Sequence, residues 1–439
     1  MKYKAYSLHN YLTIPQIDKL NKQFIKDINV VGSVLPFKVN NYVIDELIDW
    51  DDLENDPIFK LTFPQRGMLD EAHYKEMEAS LSENTDKIYQ KKVSNGIRLQ
   101  LNPHPAGQQE YNVPEIDGVK LNGVQHKYRE TLLFFPSAGQ TCHSYCTFCF
   151  RWPQFVGMNE LKFATKETEL LVKYLEEHHE VTDLLFTGGD PMIMSFKVFE
   201  KFILPFLSDS NKTNIQTIRI GTKALGFWPY KFVTDNDADD FLRLFERIQE
   251  RGINLAIMAH FSHPRELQTE VVKTAIKRIR QTGAQIRTQS PVLNHINNKA
   301  EIWAEMLRTQ VNHNLIPYYM FIPRDTGAQD YFSVPLVEAL HIFRTAYKQV
   351  SGVCRTVRGP SMSCFPGKVQ VVGVSEINFK KVFVLRFLQG RDPNWVGRPF
   401  YAKYDPNAIW LDDLEPAFGD SFFFEEEGVN GKKFSYQAN

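Results

Sequence analysis

The chain has 439 residues, 43% of them hydrophobic, with 51 Lys and Arg against 52 Asp and Glu and a formal net charge of −1. That balance excludes the basic excess that draws a protein to nucleic acid or to an anionic membrane surface. The length suits about three domains, or one large domain with extensions. No run of about 18 apolar residues marks a membrane span, and the N-terminal MKYKAYSLHNYLTIPQIDKL lacks the apolar stretch of a signal peptide. Five cysteines, odd in number and clustered, do not make a secreted disulfide framework, so a reducing, cytoplasmic setting is expected.

In chain order, residues 51–57 are polar and turn-rich, 70–84 have a helical pattern, and 101–118 carry three prolines and read as a loop. From about 130 an alternation begins. Strands are expected over 131–139, 182–191, 217–223, 254–264, 284–292 and 316–325. Helices are expected over 165–179, 196–207, 237–252, 269–281, 300–312 and 335–348, with Thr165 capping the first and Leu171, Tyr174 and Leu175 on its apolar face. Two further strands, over 364–374 and 380–390, follow.

Strand–helix units in succession imply a parallel sheet with right-handed crossovers, either open and doubly wound or rolled into a partial or full barrel. In all of these, function sits at the C-terminal ends of the strands. The informative residues fall there. The cysteines follow the first strand, and Gly188, Gly189 and Asp190 end the second. Gly221–Lys223 end the third, His260–His263 the fourth, Gln289 the fifth, and Arg324 and Asp325 the sixth.

TCHSYCTFCFRW, residues 141–152, places Cys142, Cys146 and Cys149 in the spacing C-x3-C-x2-C. Three readings are open. The thiols are unrelated; or they hold a structural zinc, with a fourth ligand from His143, Cys354 or Cys364; or they hold an iron–sulfur cluster. Three cysteines leave one iron of a four-iron cluster without a protein ligand, and an open metal position is a catalytic feature.

The spacing and its neighbours resemble the radical SAM superfamily. Phe148 before the third cysteine and TGGDP at 187–191 fit that pattern. The resemblance implies an α/β fold: a partial (βα)6 barrel over 126–350, an N-terminal α-rich extension over 1–125 and a C-terminal α+β extension over 351–439. It also implies a 4Fe-4S cluster on Cys142, Cys146 and Cys149 with S-adenosylmethionine (SAM) on its open iron. Gly188, Gly189 and Asp190 bind SAM, and an electron donor such as flavodoxin or ferredoxin serves the cluster. The product is a 5′-deoxyadenosyl radical that abstracts a substrate hydrogen.

A closer likeness is to the lysine 2,3-aminomutase family. It rests on HKYRETLLFF, LLFTGGDPMIMS, IRIGTK, AHFSHPREL, TQSPVLNHINN, PYYMFIPRD and FPGKVQV, in the family's order over about 126–375. Those enzymes also bind pyridoxal phosphate, act on small-molecule amino acids and are often oligomeric. By this likeness Arg151 holds the substrate carboxylate, a task suited to a guanidinium fork. Lys368 forms the Schiff base with pyridoxal phosphate, Lys127 and Arg129 serve its phosphate, and Gln289 and His260 line the SAM side. The lysine-acting members bind the substrate ammonium with two aspartates. Here those positions hold Arg324, followed by Asp325, and Ser361, with Arg358 close by. Arginine in place of an acid reverses the charge that such a pocket prefers. The expected substrate is therefore not free lysine but an amino acid with an anionic or polar side chain, unless Arg324 pairs with Asp325 or Glu338. The rival readings are a radical SAM enzyme without pyridoxal phosphate and a zinc-stabilised α/β binding protein.

Overall fold

The computed structural model describes residues 1–83, 86–102, 112–158 and 162–428. Residues 103–111 of the expected loop, Asn84 at the end of the first expected helix, and the tail from 429 lie outside the described residues. Two short pairs come first. β1 (Ala5–Ser7) runs antiparallel to β2 (Lys38–Asn40), and β3 (Glu115–Ile116) to β4 (Val119–Lys120). The remaining strands form one 11-stranded sheet. They are β5 (Val124–Tyr128), β6 (Thr131–Phe134), β7 (Asp183–Phe186), β8 (Thr217–Thr222), β9 (Asn254–His260), β10 (Gln285–Pro291), β11 (Ile316–Phe321), β12 (Arg358–Ser363), β13 (Gly367–Ile377), β14 (Lys380–Gly390) and β15 (Pro399–Lys403).

Their order in the sheet is their order in the chain. β6 to β12 are parallel neighbours, β5 flanks β6 antiparallel, and β13 to β15 continue antiparallel beyond β12. The crossover helices are Thr168–Glu177, Phe196–Leu207, Ala238–Glu250, Glu270–Gln281, Ala300–Asn312 and Leu336–Lys348. When each strand adds to the same edge through a right-handed crossover, all the helices fall on one face. Burial follows this split with the two-residue period of a strand. Ile218, Ile220 and Thr222 of β8 are buried, while Thr217, Arg219 and Gly221 between them are half-buried. β10 repeats the pattern, with Ile286, Thr288 and Ser290 buried between Gln285, Arg287 and Gln289. The helix-facing layer is apolar: Phe134, Phe186 and Phe199 meet edge to face, with ring centroids 5.6 Å and 5.5 Å from Phe186.

The sheet curls toward its other face. Lys127 on β5 donates to the carbonyl of Cys364, just beyond β12. Strands far apart in the ladder therefore enclose a polar interior.

The six expected strand–helix units are present, with shorter ends. The first strand stops at Phe134, because Pro136 opens a turn at Ser137–Gly139 whose Ser137 amide donates to Thr165 O at 2.8 Å. Thr165 does not cap the following helix; its hydroxyl accepts from the amide of Glu167, the N-cap residue two positions on, at 2.9 Å. β5, β12, β15 and the helices Lys22–Val34 and Lys87–Gln100 had no sequence expectation. β12 reads RGPSMS, and its Gly and Pro are residues that strands normally shun. Among the described residues no helix is long and apolar enough to cross a membrane.

Phe186 is fully buried between sheet and helices. Phe186→Ala is expected to cost about 3–5 kcal/mol of unfolding free energy by denaturant titration, the usual cost of deleting a buried ring. A loss under about 1 kcal/mol would mean that this layer does not hold the sheet.

Candidate active site

The cysteine loop leaves the C-terminal end of β6 and is clamped from the N-terminal region. Ser144 Oγ and the Tyr145 amide donate to Lys38 O at 3.0 Å and 2.7 Å, and Lys38 Nζ returns a bond to Cys142 O at 2.7 Å. Tyr3 OH donates to His143 O at 2.7 Å, and Asn40 Nδ2 to His143 O at 3.3 Å. Thr147 is tied to Leu61 O and Lys60 O. These bonds hold the backbone and leave the three sulfurs unengaged in disulfides and half-buried.

Burial, the Asp190 carboxylate and the other two cysteines push the Cys142 thiol well above its ordinary value. Burial pushes Cys149 up to about 11, against a hydrogen bond from the Arg151 amide. Burial also raises Cys146, which Lys223 partly opposes. Cys142 and Cys146 thus feel the charge of neighbouring thiols, and all three favour the neutral form unless a cation compensates them. Among the described residues His143 is not grouped with the three thiols around one metal position, although its Nδ1 is buried without a hydrogen-bond partner. It is buried, stacked on Trp228 at 6.4 Å and edge-on to Tyr3 at 5.8 Å. Among the described residues no three or more His, Cys, Asp and Glu are grouped to hold a single metal ion, so Cys354 and Cys364 complete no such set either.

Gly188 and Gly189 press against this loop. A Cβ on Gly189 would lie 2.5 Å from the Thr141 backbone, and one on Gly188, whose φ is +143°, 2.2 Å from Gln140 Nε2. Only glycine fits there. The Asp190 amide donates to Gly139 O at 3.0 Å and Thr141 O at 2.8 Å. Its buried carboxylate accepts from Thr222 Oγ1 at 2.7 Å, the Lys223 amide at 2.9 Å and the Met192 amide at 2.9 Å. Burial raises this carboxyl to about 6, while those hydrogen bonds pull it down. Asp190 is therefore a latch joining β7, β8 and the cysteine loop. Beyond it, Lys223 Nζ pairs with buried Glu266 at 2.8 Å and donates to His260 O at 3.4 Å.

His260 ends β9 beside Gln289 on β10, its register partner. Its Nε2 lies 3.0 Å from Ser262 Oγ and its ring 5.5 Å from that of Phe148. Burial and Lys223 hold it neutral. Arg151 is buried, with its guanidinium 4.0 Å from the Phe135 ring and, among the described residues, no carboxylate partner. Burial lowers it to about 9. Arg324 flanks Phe150 at 5.6 Å and reaches Asp325 only at 3.6 Å, and its Nε is buried without a hydrogen bond. Glu338 is exposed and makes no ion pair with it among the described residues.

Lys368 begins β13 opposite Ser363, at the C-terminal end of β12. Its Nζ lies 4.1 Å from the Tyr319 ring centroid. Burial, then Arg219 and Arg358, lower its amine to about 7, against the pull of Asp183. Lys127 points into the same interior, where burial, Arg391 and Arg324 hold it far below its ordinary value. Two expected residues do not join the group. Arg129 is exposed in the β5–β6 turn, at the end of β6 opposite the cysteine loop. Ser361 is fully buried in β12 with its hydroxyl donating to Met320 O at 3.3 Å.

The sequence reading missed Arg219, Asp183 and Glu266, and named Lys223 only as the end of the third strand. Arg219 and Asp183 form a two-pronged pair, at 2.7 Å and 2.5 Å, on the inner face of β7 and β8. A charged residue at an inward position of TIRIGT was the available signal.

The donor set suits the cofactors that the resemblance implies. Three thiols sharing one loop, with no fourth ligand grouped with them among the described residues, match a cluster with an open iron better than a closed zinc site. Gln140 Oε1, buried and unpartnered beside Gly188, offers an acceptor to an amino group. Lys368, with no carboxylate partner among the described residues, suits Schiff-base chemistry.

No family model matches the chain. A protein of Aquifex aeolicus named putative L-lysine 2,3-aminomutase is 29% identical over 398 residues, 90% of this chain and 92% of that protein. The L-lysine 2,3-aminomutase of Haemophilus influenzae is 24% identical over 229 residues, 52% of this chain and 63% of that one. The glutamate 2,3-aminomutase of Clostridioides difficile is 24% identical over 230 residues, 52% of this chain and 51% of that one.

Lys368 supplies a test of the pocket. Its amine loses its proton near pH 7 folded and at the ordinary 10.5 unfolded. The unfolded chain therefore binds the extra proton between those values, so stability rises with pH across that window. Denaturant unfolding of the wild type and Lys368→Met from about pH 6 to about pH 10 is expected to show the variant's advantage shrinking as pH rises. A pH-independent difference would place Lys368 in an ordinary solvated setting.

Proposed function

Starting from the premise that this chain is a relative of the lysine 2,3-aminomutases, we propose that it is a radical SAM enzyme, a pyridoxal-phosphate-dependent 2,3-aminomutase acting on an amino acid other than lysine. The curled sheet is read as a partial (βα)6 barrel, with extensions over 1–125 and 351–439. The observation that carries the reading is the shared rim: three unengaged cysteines end β6, and a lysine poised to be neutral ends the β12–β13 turn. When bound, the cluster with SAM supplies an adenosyl radical and pyridoxal phosphate supplies an electron sink.

The chain's own residues do the rest. Cys142, Cys146 and Cys149 are the cluster ligands. Gly188, Gly189, Asp190, Gln289 and His260 shape the SAM side, Asp190 by holding the glycines against the loop. Lys368 offers a neutral amine to a carbonyl, with Lys127 the nearer amine that a phosphate would draw back to its charged form. Arg151 receives the substrate carboxylate in a water-poor setting where a guanidinium–carboxylate pair is strong. A flavodoxin or ferredoxin electron donor and a cytoplasmic setting complete the proposal.

The substrate's far end meets Arg324, whose contact with Asp325 is loose, beside Lys127, a buried amine that an anion would draw back toward its charged form. Burying a lysine ammonium there would be costly, and an anionic side chain would offset the cations. Relatives named for lysine and for glutamate both match this chain, so its own pocket charge is the better guide.

Two measurements test this. Borohydride reduction of protein loaded with pyridoxal phosphate, followed by peptide mass spectrometry, is expected to find the pyridoxyl group on Lys368 and to lose it in Lys368→Ala. Label that spreads over surface lysines would favour the radical SAM reading without pyridoxal phosphate. In anaerobic turnover with single amino acids, an acidic or polar one is expected to exceed lysine by at least about tenfold, the scale of one mismatched buried charge. Lysine as the best substrate by a wide margin would overturn the assignment of Arg324.

A further inference from the structure

Inside the curl, neighbouring strands lay out a row of cations and rings. Arg287 on β10 bonds Gln285 Oε1 at 2.9 Å and lies 5.3 Å from the Tyr318 ring. Arg358 on β12 lies 4.3 Å from the centroids of both Tyr318 and Tyr319 on β11. Lys368 on β13 lies 4.1 Å from Tyr319, which in turn stacks on Phe321 at 4.9 Å. Tyr319 is buried. Arg358 and Lys368 thus share one ring, and among the described residues neither has a carboxylate partner.

A ring attracts each cation separately, but two like charges around it repel in a poorly hydrated interior. The conflict has one exit. A guanidinium does not release its proton in a protein, whereas a buried ammonium does so readily.

We propose that Arg358 is a positioning residue for Lys368: it takes the charged place on the shared Tyr319 ring and leaves the lysine the neutral one. The proposal rests on the reading of Lys368 as the amine that condenses with a carbonyl, for which the neutral form is required.

The other groups facing Lys368 do not remove the need for Arg358. Arg219 on β8 is the strongest like charge, yet Asp183 on β7 clasps it at 2.5 Å, so that pair acts as a dipole. Lys127 on β5 also feels Lys368, but is itself held toward the neutral form by burial. Tyr319 stays protonated, since burial raises its hydroxyl. Arg358 is the uncompensated charge at the ring. The lowered amine of Lys368 agrees with this arrangement.

The test reads the amine directly. The full-length protein is reductively methylated with 13C-formaldehyde, and the Lys368 dimethylamine resonance, identified by its loss in Lys368→Arg, is titrated by NMR. The wild-type midpoint is expected well below that of surface lysines. In Arg358→Met, whose stem still covers the rings, and in Arg358→Gln, it is expected to rise by about one pH unit, a tenfold fall in neutral amine. Either variant carries the test alone if folded. Arg358→Lys is expected to keep the low midpoint only in part, since lysine yields its own proton. An unchanged midpoint in a folded Arg358→Met or Arg358→Gln protein overturns the proposal. Borohydride trapping on unmethylated portions of the same proteins, whose Lys368 is still a primary amine, separates the two questions. A shifted midpoint with no pyridoxyl label at Lys368 upholds the role of Arg358 and sinks the cofactor reading instead.

Discussion

The buried carboxylate of Asp190 sits where three segments meet. It closes the gap between the ends of β7 and β8 through Thr222 and the Lys223 amide, and its own amide grips the carbonyls of Gly139 and Thr141. An acid in that position is costly to bury, and its hydrogen bonds are what make burial tolerable. The arrangement in turn dictates Gly188 and Gly189, because nothing larger than hydrogen fits between Asp190's strand and the cysteine loop. The glycine-rich motif is thus a packing device as well as a candidate ligand cradle. The polar belt continues through Lys223, Glu266 and Ser262, so the rim is built as one connected hydrogen-bonded unit.

Behind the rim the physics is that of cations in a poorly hydrated interior. Burial is the leading cause that lowers Arg151, Lys127 and Lys368, so the two lysines are pushed toward giving up protons while the Arg151 guanidinium keeps its charge and lacks an anion. Such a site waits for anions. A substrate carboxylate, a phosphate and an acidic side chain would each lower its energy, and a substrate ammonium would raise it. The curl of the sheet creates this field, since it brings β5, β7 and β8 to face β12 and β13 across the interior.

Much of this was legible in the sequence. The strand–helix alternation was, because inward and outward residues alternate along each strand and each crossover helix carries one apolar face. The cysteines, the glycines and Lys368 were, because their motifs are local. What needed the fold was any pairing across the curl. Arg219 looks like an ordinary strand charge, and Arg358 only like a neighbour of Ser361, until the two sides of the sheet meet. Lys127 and Arg129 are near neighbours in sequence, yet one ends up inside and the other in an exposed turn. The clamp on the cysteine loop escaped notice because β1 and β2 are three residues each, too short for any period to show. Ser361 was expected to face substrate, but its hydroxyl is engaged with the Met320 carbonyl.

On the proposed reading Cys142, Cys146 and Cys149 hold a four-iron cluster with one iron left for SAM. Electron paramagnetic resonance of anaerobically reconstituted, dithionite-reduced protein tests it most directly. The expected result is a reduced 4Fe-4S signal that changes shape when SAM is added and is absent in Cys142→Ala, Cys146→Ala and Cys149→Ala. Protein that binds zinc but no iron, or a cluster signal indifferent to SAM, would contradict it.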